Sequence, residues 1–404
     1  MNPTLFAQLS GLSVYRSLTV WDEAGQKPLN AMSELLRELH FGTDILVELY
    51  SNVFYTLATE GYDSMADYLN DHLRYDESPY GEAAARGTAT PALEKAARHD
   101  LAVLSAVAAL PCAELKAAMA AQLGEEWAEV VTTLPEWNSG DIMTFEELTE
   151  FYQVNGCGKF ARYNAFLFQN GDLHPVPNPD FMLTEAMWGY ERQREQVIEN
   201  TRALMAGKSV NNVLLYGKSG TGKSATVKAM LGMSEFEGLR LIEVPKDDLI
   251  GIPKLVRMLG HRPQKFIIFI DDLSFDKEDK TFSCLKSILE GGLEPRPANV
   301  AVYCTSNRRH LVRQNFSDRN GDEIDANETI QDKTSLAERF GLKILYSELS
   351  KPQFLQMAAD LTSAQGLTLD PAIIQQEAVK WDIRHPSRSP RSANQFVASL
   401  LAKY

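Results

Sequence analysis

The residues best suited to chemistry in this 404-residue chain lie at 217–224, which read Gly-Lys-Ser-Gly-Thr-Gly-Lys-Ser. Glycines at this spacing let backbone N–H groups turn inward toward the oxygens of a phosphate chain. In this G-x-x-x-x-G-K-[ST] pattern the lysine reaches the β- and γ-phosphates, and the last hydroxyl helps to hold Mg²⁺. An apolar run precedes the loop and a helix-compatible stretch follows it, which is the context the motif requires. We therefore expect a nucleoside triphosphate to be bound by Gly217, Lys218, Ser219, Gly220, Thr221, Gly222, Lys223, Ser224 and Ala225.

Two carboxylates, Asp271 and Asp272, end a fully apolar segment at 266–270. In a parallel sheet the carboxyl ends of the strands converge on the ligand crevice. We expect Asp271 to coordinate Mg²⁺ through water, together with the Ser224 hydroxyl, and Asp272 to orient or deprotonate an attacking water. The next predicted strand, 300–304, leads to Asn307, whose amide is placed to bind that water or the γ-phosphate. Ser-Asn after a strand is also ordinary turn chemistry.

Two arginines complete the candidate site. Arg339 precedes the last predicted strand, and Arg391 opens the final predicted helix. An arginine brought to the γ-phosphate, from the same or a neighbouring subunit, stabilises transition-state charge. Each residue could instead form an ordinary surface ion pair, and Arg388 competes with Arg391 for the same role.

The order of predicted elements indicates an α/β fold, a parallel sheet flanked by helices, because short apolar runs alternate with helical patterns after residue 181. A helix is expected at 191–205 and strands at 213–216, 239–244, 266–270, 300–304 and 343–346. Further helices are expected at 247–259 and 284–289. We predict four regions: a mostly α-helical N-terminal domain (1–155), a β-hairpin and proline-containing connector (156–180) around Asn170-Gly171, a nucleotide-binding core (181–348) and a separate helical lid (349–404).

Charge is unevenly distributed along the chain. Residues 1–155 carry 8 Lys and Arg against 24 Asp and Glu, whereas 156–404 carry 32 against 30, which together give the net charge of −14. The acidic region is either a solvated surface or a docking surface for a basic protein partner, and nucleic-acid binding is not indicated. Four scattered cysteines, the lack of a signal-peptide pattern and the lack of a membrane-spanning run indicate a cytoplasmic protein.

Together these motifs resemble the AAA+ ATPases over residues 181–404. The resemblance assigns Gly189 and Tyr190, within Trp188 to Gln193, to the border of the adenine pocket. It assigns Walker A to 217–224, Walker B to 266–272, sensor 1 to Asn307, the arginine finger to Arg339 and sensor 2 to Arg391. It implies ATP and Mg²⁺ as cofactors and a homo-oligomer in the ATP state. Several stretches resemble, more closely, a bacterial ATP-binding family catalogued as a domain of unknown function.

The chain departs from many AAA+ motors in ending Walker B with Asp-Asp rather than Asp-Glu. Because a side chain one methylene shorter moves the base by more than about an ångström, hydrolysis is expected to be slow and partner-regulated. The favoured hypothesis is an ATPase that remodels or loads a protein partner through residues 1–155. A nucleotide-gated scaffold with little hydrolysis is the alternative, and a small-molecule kinase fits less well. The charged insertion at 308–334 lacks the spacing of an EF-hand.

Overall fold

A computed structural model describes residues 27–41, 45–274, 285, 289, 296–307, 338–367 and 369–404. The chain divides into two compact units, Met1–Arg162 and Tyr163–Tyr404. The division falls inside the predicted connector. The insertion at 308–334 lies outside the described residues, as does most of the helix predicted at 284–289.

The described part of the first unit contains nine helices. They are α1 (Lys27–Phe41), α2 (Leu46–Thr59), α3 (Met65–Tyr75), α4 (Pro79–Ala85), α5 (Pro91–Ala108), α6 (Cys112–Leu123), α7 (Glu125–Thr133), α8 (Phe145–Asn155) and α9 (Lys159–Arg162). Side chains of Ser64, Ser78, Thr90 and Thr144 accept the first free N–H groups of four of these helices. Apolar residues at helical spacing form one continuous core. The prediction of a helical N-terminal region is confirmed.

The described part of the second unit contains a seven-stranded sheet. Its strands are β1 (Ala165–Gln169), β2 (Asp172–Pro175), β3 (Val213–Gly217), β4 (Leu239–Glu243), β5 (Lys265–Ile270), β6 (Val300–Ser306) and β7 (Leu342–Tyr346). Their order is β2-β1-β4-β5-β6-β3-β7, and only the β1–β2 pair is antiparallel. Strands β5 and β6 are almost entirely buried, as expected for parallel strands covered on both faces. The predicted α/β class is confirmed.

The hairpin assigned to the connector belongs to the sheet, which corrects that part of the domain prediction. Strand β1 pairs in parallel with β4, with Ala165 opposite Leu241 and Leu167 opposite Glu243. Its turn contains Asn170 at φ 54° and Gly171 at φ 83°, as the Asn-Gly signal predicts. The sequence did not predict the pairing of β1 with β4, because the proline-rich stretch after the hairpin is typical of a linker.

Helices flank the sheet and form the lid. Those of the second unit whose bounds the structure describes are α10 (Glu191–Met205), α11 (Lys223–Ala229), α12 (Ile252–Leu259), α13 (Lys351–Ala364), α14 (Pro371–Arg384) and α15 (Pro390–Leu401). The segment predicted as a helix at 247–259 begins as a 3₁₀ turn, Lys246–Gly251. Helices α13 to α15 share an apolar cluster, yet they lie in the same compact unit as the sheet rather than in a separate one.

Three cysteines of the described residues, Cys112, Cys157 and Cys304, are buried and form no disulfide. Within the same residues no single helix is long and apolar enough to cross a membrane. Helices α5 and α6 reach that length and apolarity only when they are taken together, and a bend of 75° separates them.

Candidate nucleotide site

Residues 217–224, called the phosphate loop below, begin at the carboxyl end of β3 and pack against the end of β7. A Cβ placed on Gly217, at φ 135°, would lie 2.1 Å from the carbonyl oxygen of Tyr346, so that only glycine fits there. The next N–H, that of Lys218, donates to the same carbonyl at 3.2 Å. Gly222 also has a positive φ, 91°, and joins the loop to α11. The glycine spacing of the motif is thus required by close backbone packing and by left-handed geometry.

Lys223 is only 5% exposed, and its ammonium group points back into the loop. It donates to the carbonyl oxygens of Gly217 at 3.1 Å and Lys218 at 2.8 Å, and to Asn307 Oδ1 at 2.9 Å. Burial lowers the pKa of Lys223, the carboxylates of Asp272 and Asp271 oppose that shift, and Arg391 adds to it. The three oxygen atoms that accept hydrogen bonds from this ammonium group are polar partners that oxygens of a bound anion could replace.

Ser224 and Asp271 meet at the start of α11. The Ser224 hydroxyl donates to Asp271 Oδ1 at 2.6 Å, which brings the two residues predicted to hold Mg²⁺ together. Strand β5 delivers the carboxylate and the phosphate loop delivers the hydroxyl, as the convergence of strand ends predicts. Both side chains offer oxygen atoms as metal ligands, which suits a hard cation such as Mg²⁺.

Asp272 has a left-handed backbone, with φ 48°, which is uncommon for a residue other than glycine. Its carboxylate accepts a hydrogen bond of 2.7 Å from Asn307 Nδ2. Because Asn307 also accepts from Lys223, the amide links the phosphate loop to the carboxylate strand. The sequence placed both residues at neighbouring strand ends, but it did not predict this bridge.

The lid contacts the phosphate loop through Arg391. The backbone N–H of Arg391 donates to the carbonyl oxygen of Gly220 at 3.2 Å, and its side chain lines the cleft. Arg388, the competing candidate, forms two hydrogen bonds with the buried carboxylate of Asp382, at 2.7 and 3.1 Å. Arg391 therefore lines the cleft, whereas Arg388 forms an ion pair with Asp382 inside the lid.

A cleft of about 530 Å³ extends from the phosphate loop to an apolar end near α10. That end is lined by Met182, Ala186, Met187, Trp188, Tyr190 and Tyr346. The ring of Tyr190 stacks on that of Tyr346, with centroids 5.0 Å apart. Burial, together with the phenol of Tyr346, raises the pKa of Tyr190 to about 12. The protonated hydroxyl of Tyr190 donates a hydrogen bond of 2.5 Å to the carbonyl oxygen of Ser347. Such a site suits a planar heterocycle next to a phosphate chain.

Gly189 lies beside this end without lining the cleft itself. Its carbonyl accepts a hydrogen bond from the guanidinium of Arg194, which also donates to Met187 at 3.1 Å. Arg194 is 8% exposed and lines the cleft. A buried arginine in this position was not identified from the sequence. Its only signal was the spacing within α10, which puts it one turn after Tyr190.

Arg339 is not brought to the cleft. Strand β7 runs parallel to β3, with Leu342 opposite Val213 and Tyr346 opposite Gly217. Arg339 precedes Leu342, and therefore lies beyond the amino ends of these strands, whereas the phosphate loop follows their carboxyl ends. The length of the strands separates the two ends by about 13 Å. Arg339 and the phosphate loop of one chain are thus at opposite ends of the same strand pair.

The sheet order agrees with the resemblance to AAA+ ATPases. Strand β6 lies between the phosphate-loop strand β3 and the carboxylate strand β5, and a three-helix lid bonds to the loop through Arg391. Residues 161–404 match the model of the family described as "Protein of unknown function (DUF815)", and the chain belongs to that family. None of the curated proteins matches the chain significantly.

Solved structures with a similar fold include the Thermotoga maritima RuvB Holliday junction branch migration motor. It is 14% identical, with 54% of this chain and 63% of that chain covered and a TM-score of 0.33. Replication initiator DnaA bound to AMPPCP and single-stranded DNA is 16% identical, with 55% and 65% covered and a TM-score of 0.36. A DNA replication initiation factor is 15% identical, with 56% and 65% covered and a TM-score of 0.35. The chain spans less than two thirds of each of these structures, and we infer nothing about its activity from them.

Proposed function

We propose that the chain is an ATP-dependent switch that binds Mg²⁺ and ATP, hydrolyses ATP slowly, and thereby remodels or loads a protein partner. One observation carries the proposal: five groups of four chemical kinds line a single cleft at the carboxyl ends of the parallel strands. They are the ammonium of Lys223, the hydroxyl of Ser224, the carboxylates of Asp271 and Asp272, and the guanidinium of Arg391. A turn that merely closes a strand–helix connection does not need this combination.

The phosphate loop fits a triphosphate. Lys223 donates to two loop carbonyls and to Asn307, and phosphate oxygens replace such acceptors with stronger, charge-assisted ones. The N-terminus of α11 adds partial positive charge at the same place. At the apolar end Tyr190 and Trp188 provide ring surfaces for the base, and adenine is the base that the AAA+ resemblance implies.

Ser224 and Asp271 would hold Mg²⁺ in this proposal, since their oxygens already lie 2.6 Å apart. A magnesium ion held by these two residues would supply positive charge to the phosphates of a bound nucleotide. Asp272 orients the attacking water and Asn307 binds that water or the γ-phosphate. Arg391 contributes positive charge from the lid side.

Slow hydrolysis is supported by the short side chain of Asp272. This side chain is one methylene shorter than the glutamate of many AAA+ motors, which moves the carboxylate away from an attacking water. The Asn307 amide holds one of the two carboxylate oxygens, Oδ1. The short side chain also favours the second candidate function, a nucleotide-gated scaffold that hardly hydrolyses ATP.

The position of Arg339 supports action on a neighbouring copy of the chain. Since it lies at the amino ends of β3 and β7, opposite the carboxyl ends where its own phosphate loop begins, it reaches a γ-phosphate only across a subunit interface. We therefore propose that ATP promotes a homo-oligomer in which Arg339 completes the site of the next subunit.

The acidic N-terminal region is proposed to recognise the protein partner. Residues 1–155 carry 24 acidic against 8 basic side chains, which favours a partner with a basic surface. Affinity capture with the Asp272→Asn chain in ATP, compared with a chain beginning at residue 163, tests this assignment. A partner retained equally by both would contradict it.

Steady-state ATP hydrolysis is the decisive measurement. We expect the wild type to be active, Lys223→Ala to bind ATP at least about tenfold more weakly, and Asp272→Asn to bind but not hydrolyse it. Lys228→Ala and Asp247→Asn are matched controls, since both residues lie outside the cleft. Wild-type binding of ATP without turnover, in every oligomeric and partner-bound state, would favour the scaffold; no binding at all would overturn both functions.

A further inference from the structure

Thr305 lies between the two carboxylate residues, at the end of β6, and was not singled out from the sequence. Its side chain is 1% exposed, although it lines the cleft. The hydroxyl accepts a hydrogen bond of 2.9 Å from the backbone N–H of Asp272, and it donates to Asp271 Oδ1. A hydroxyl has a single proton, so these two contacts fix its orientation.

Hydrogen bonds from residues 305–307 reach each residue of the turn that follows β5, at 271–273. The N–H of Leu273 donates to the carbonyl oxygen of Thr305 at 2.7 Å, and the Ser306 hydroxyl donates to the carbonyl of Leu273 at 2.8 Å. Asn307 in turn donates to Asp272. Within this set Thr305 is the residue whose hydroxyl bonds to both Asp271 and Asp272.

The left-handed backbone of Asp272 makes this support necessary. A non-glycine residue in that region is strained, and it persists only where its surroundings impose it. The bond from its own N–H to Thr305 imposes it directly. Asp271 Oδ1 meanwhile accepts from both Ser224 and Thr305, which fixes the carboxylate from two sides.

We propose that Thr305 is a positioning residue for the nucleotide site: its hydroxyl holds Asp271 in the orientation that a magnesium–triphosphate complex requires and holds Asp272 beside it. The inference rests on the proposed function, because it assigns the metal-dependent part of that function to a residue that acts through Asp271 and Asp272.

Thr305→Val tests the inference, since valine keeps the shape and removes the hydroxyl. Calorimetry gives the Kd of ATP in Mg²⁺ and in EDTA, and the ratio of the two measures how much the metal strengthens binding. We expect the wild-type ratio to fall about tenfold in Thr305→Val, as for a lost hydrogen bond to a charged group. Thr305→Ser, which keeps the hydroxyl, should stay within about threefold of the wild type.

Thr201→Val is the matched control. Thr201 is also a fully buried threonine with two hydrogen bonds, to Val197 and Tyr303, but it lies outside the cleft. A merely structural hydroxyl would lower the melting temperature in both variants and leave both ratios unchanged. If Thr305→Val does not fold, Thr305→Cys replaces it, because a thiol is a weak hydrogen-bonding group.

A folded Thr305→Val or Thr305→Cys chain with the wild-type ratio would overturn the inference while the proposed function stands. Absence of ATP binding by the wild type would overturn the proposed function and the inference with it. A reduced ratio in Thr305→Val, restored in Thr305→Ser and normal in Thr201→Val, supports the inference.

Discussion

The side-chain amide of Asn307 donates a hydrogen bond of 2.7 Å to the carboxylate of Asp272. The carbonyl oxygen of the same amide accepts from Lys223, so one side chain joins the group that would bind phosphate to the group that would orient water. A ligand that draws Lys223 away from Asn307 therefore acts on Asp272 as well. This coupling gives the site a physical means of adjusting hydrolysis to nucleotide binding.

Asn307→Ala should separate these two functions. We expect kcat for ATP hydrolysis to fall by about 10- to 100-fold, because the amide no longer places the water or the Asp272 carboxylate. The Kd of ATP should change little, since Lys223 keeps its contacts with the loop. Single-turnover kinetics and calorimetry measure the two quantities, with Asn52→Ala in the N-terminal unit as control. An unchanged or higher kcat would contradict the positioning role.

The two lid arginines should differ in kind. Arg391→Ala is expected to weaken ATP binding about tenfold with little change in melting temperature, since Arg391 lines the cleft and is exposed. Arg388→Ala should instead lower the melting temperature, because it leaves the buried Asp382 carboxylate without its two hydrogen bonds. Calorimetry and thermal unfolding distinguish them. The reverse pattern would assign the lid role to Arg388.

Arg339 should act between subunits. We expect Arg339→Ala and Lys223→Ala chains to be inactive alone and to regain part of the activity when mixed. A mixed oligomer contains interfaces that pair an intact Arg339 with an intact phosphate loop. Hydrolysis is measured after native mass spectrometry has established that mixed oligomers form. No recovery in such oligomers would argue against a role for Arg339 in the neighbouring site.

The hairpin should contribute to the stability of the sheet. Phe168 in β1 is fully buried, and a Cβ on Gly251 would lie 2.6 Å from its ring. Phe168→Ala should therefore lower the free energy of unfolding by about 3–5 kcal/mol, and Phe168→Leu by about 1.5 kcal/mol or less. Urea unfolding followed by circular dichroism measures both. Equal, small effects would mean that the hairpin is an independent connector.

Much of the site could be predicted from the sequence because its motifs are local. The strand–loop–helix order around Lys223, the carboxylates after β5 and the amide after β6 each depend on a few consecutive residues, and parallel pairing brings such strand ends together. The helical N-terminal region followed in the same way from residues at helical spacing.

Tertiary structure decided the relationships between segments distant in sequence. The hairpin belongs to the sheet because β1 pairs with β4, where each residue lies 76 positions along the chain from its partner, as in Ala165 and Leu241. Thr305, Arg194 and the bridge through Asn307 depend on which strands become neighbours and on where a buried donor finds its acceptor. Local patterns record which groups a segment offers, whereas pairing across the sheet determines which of those groups meet.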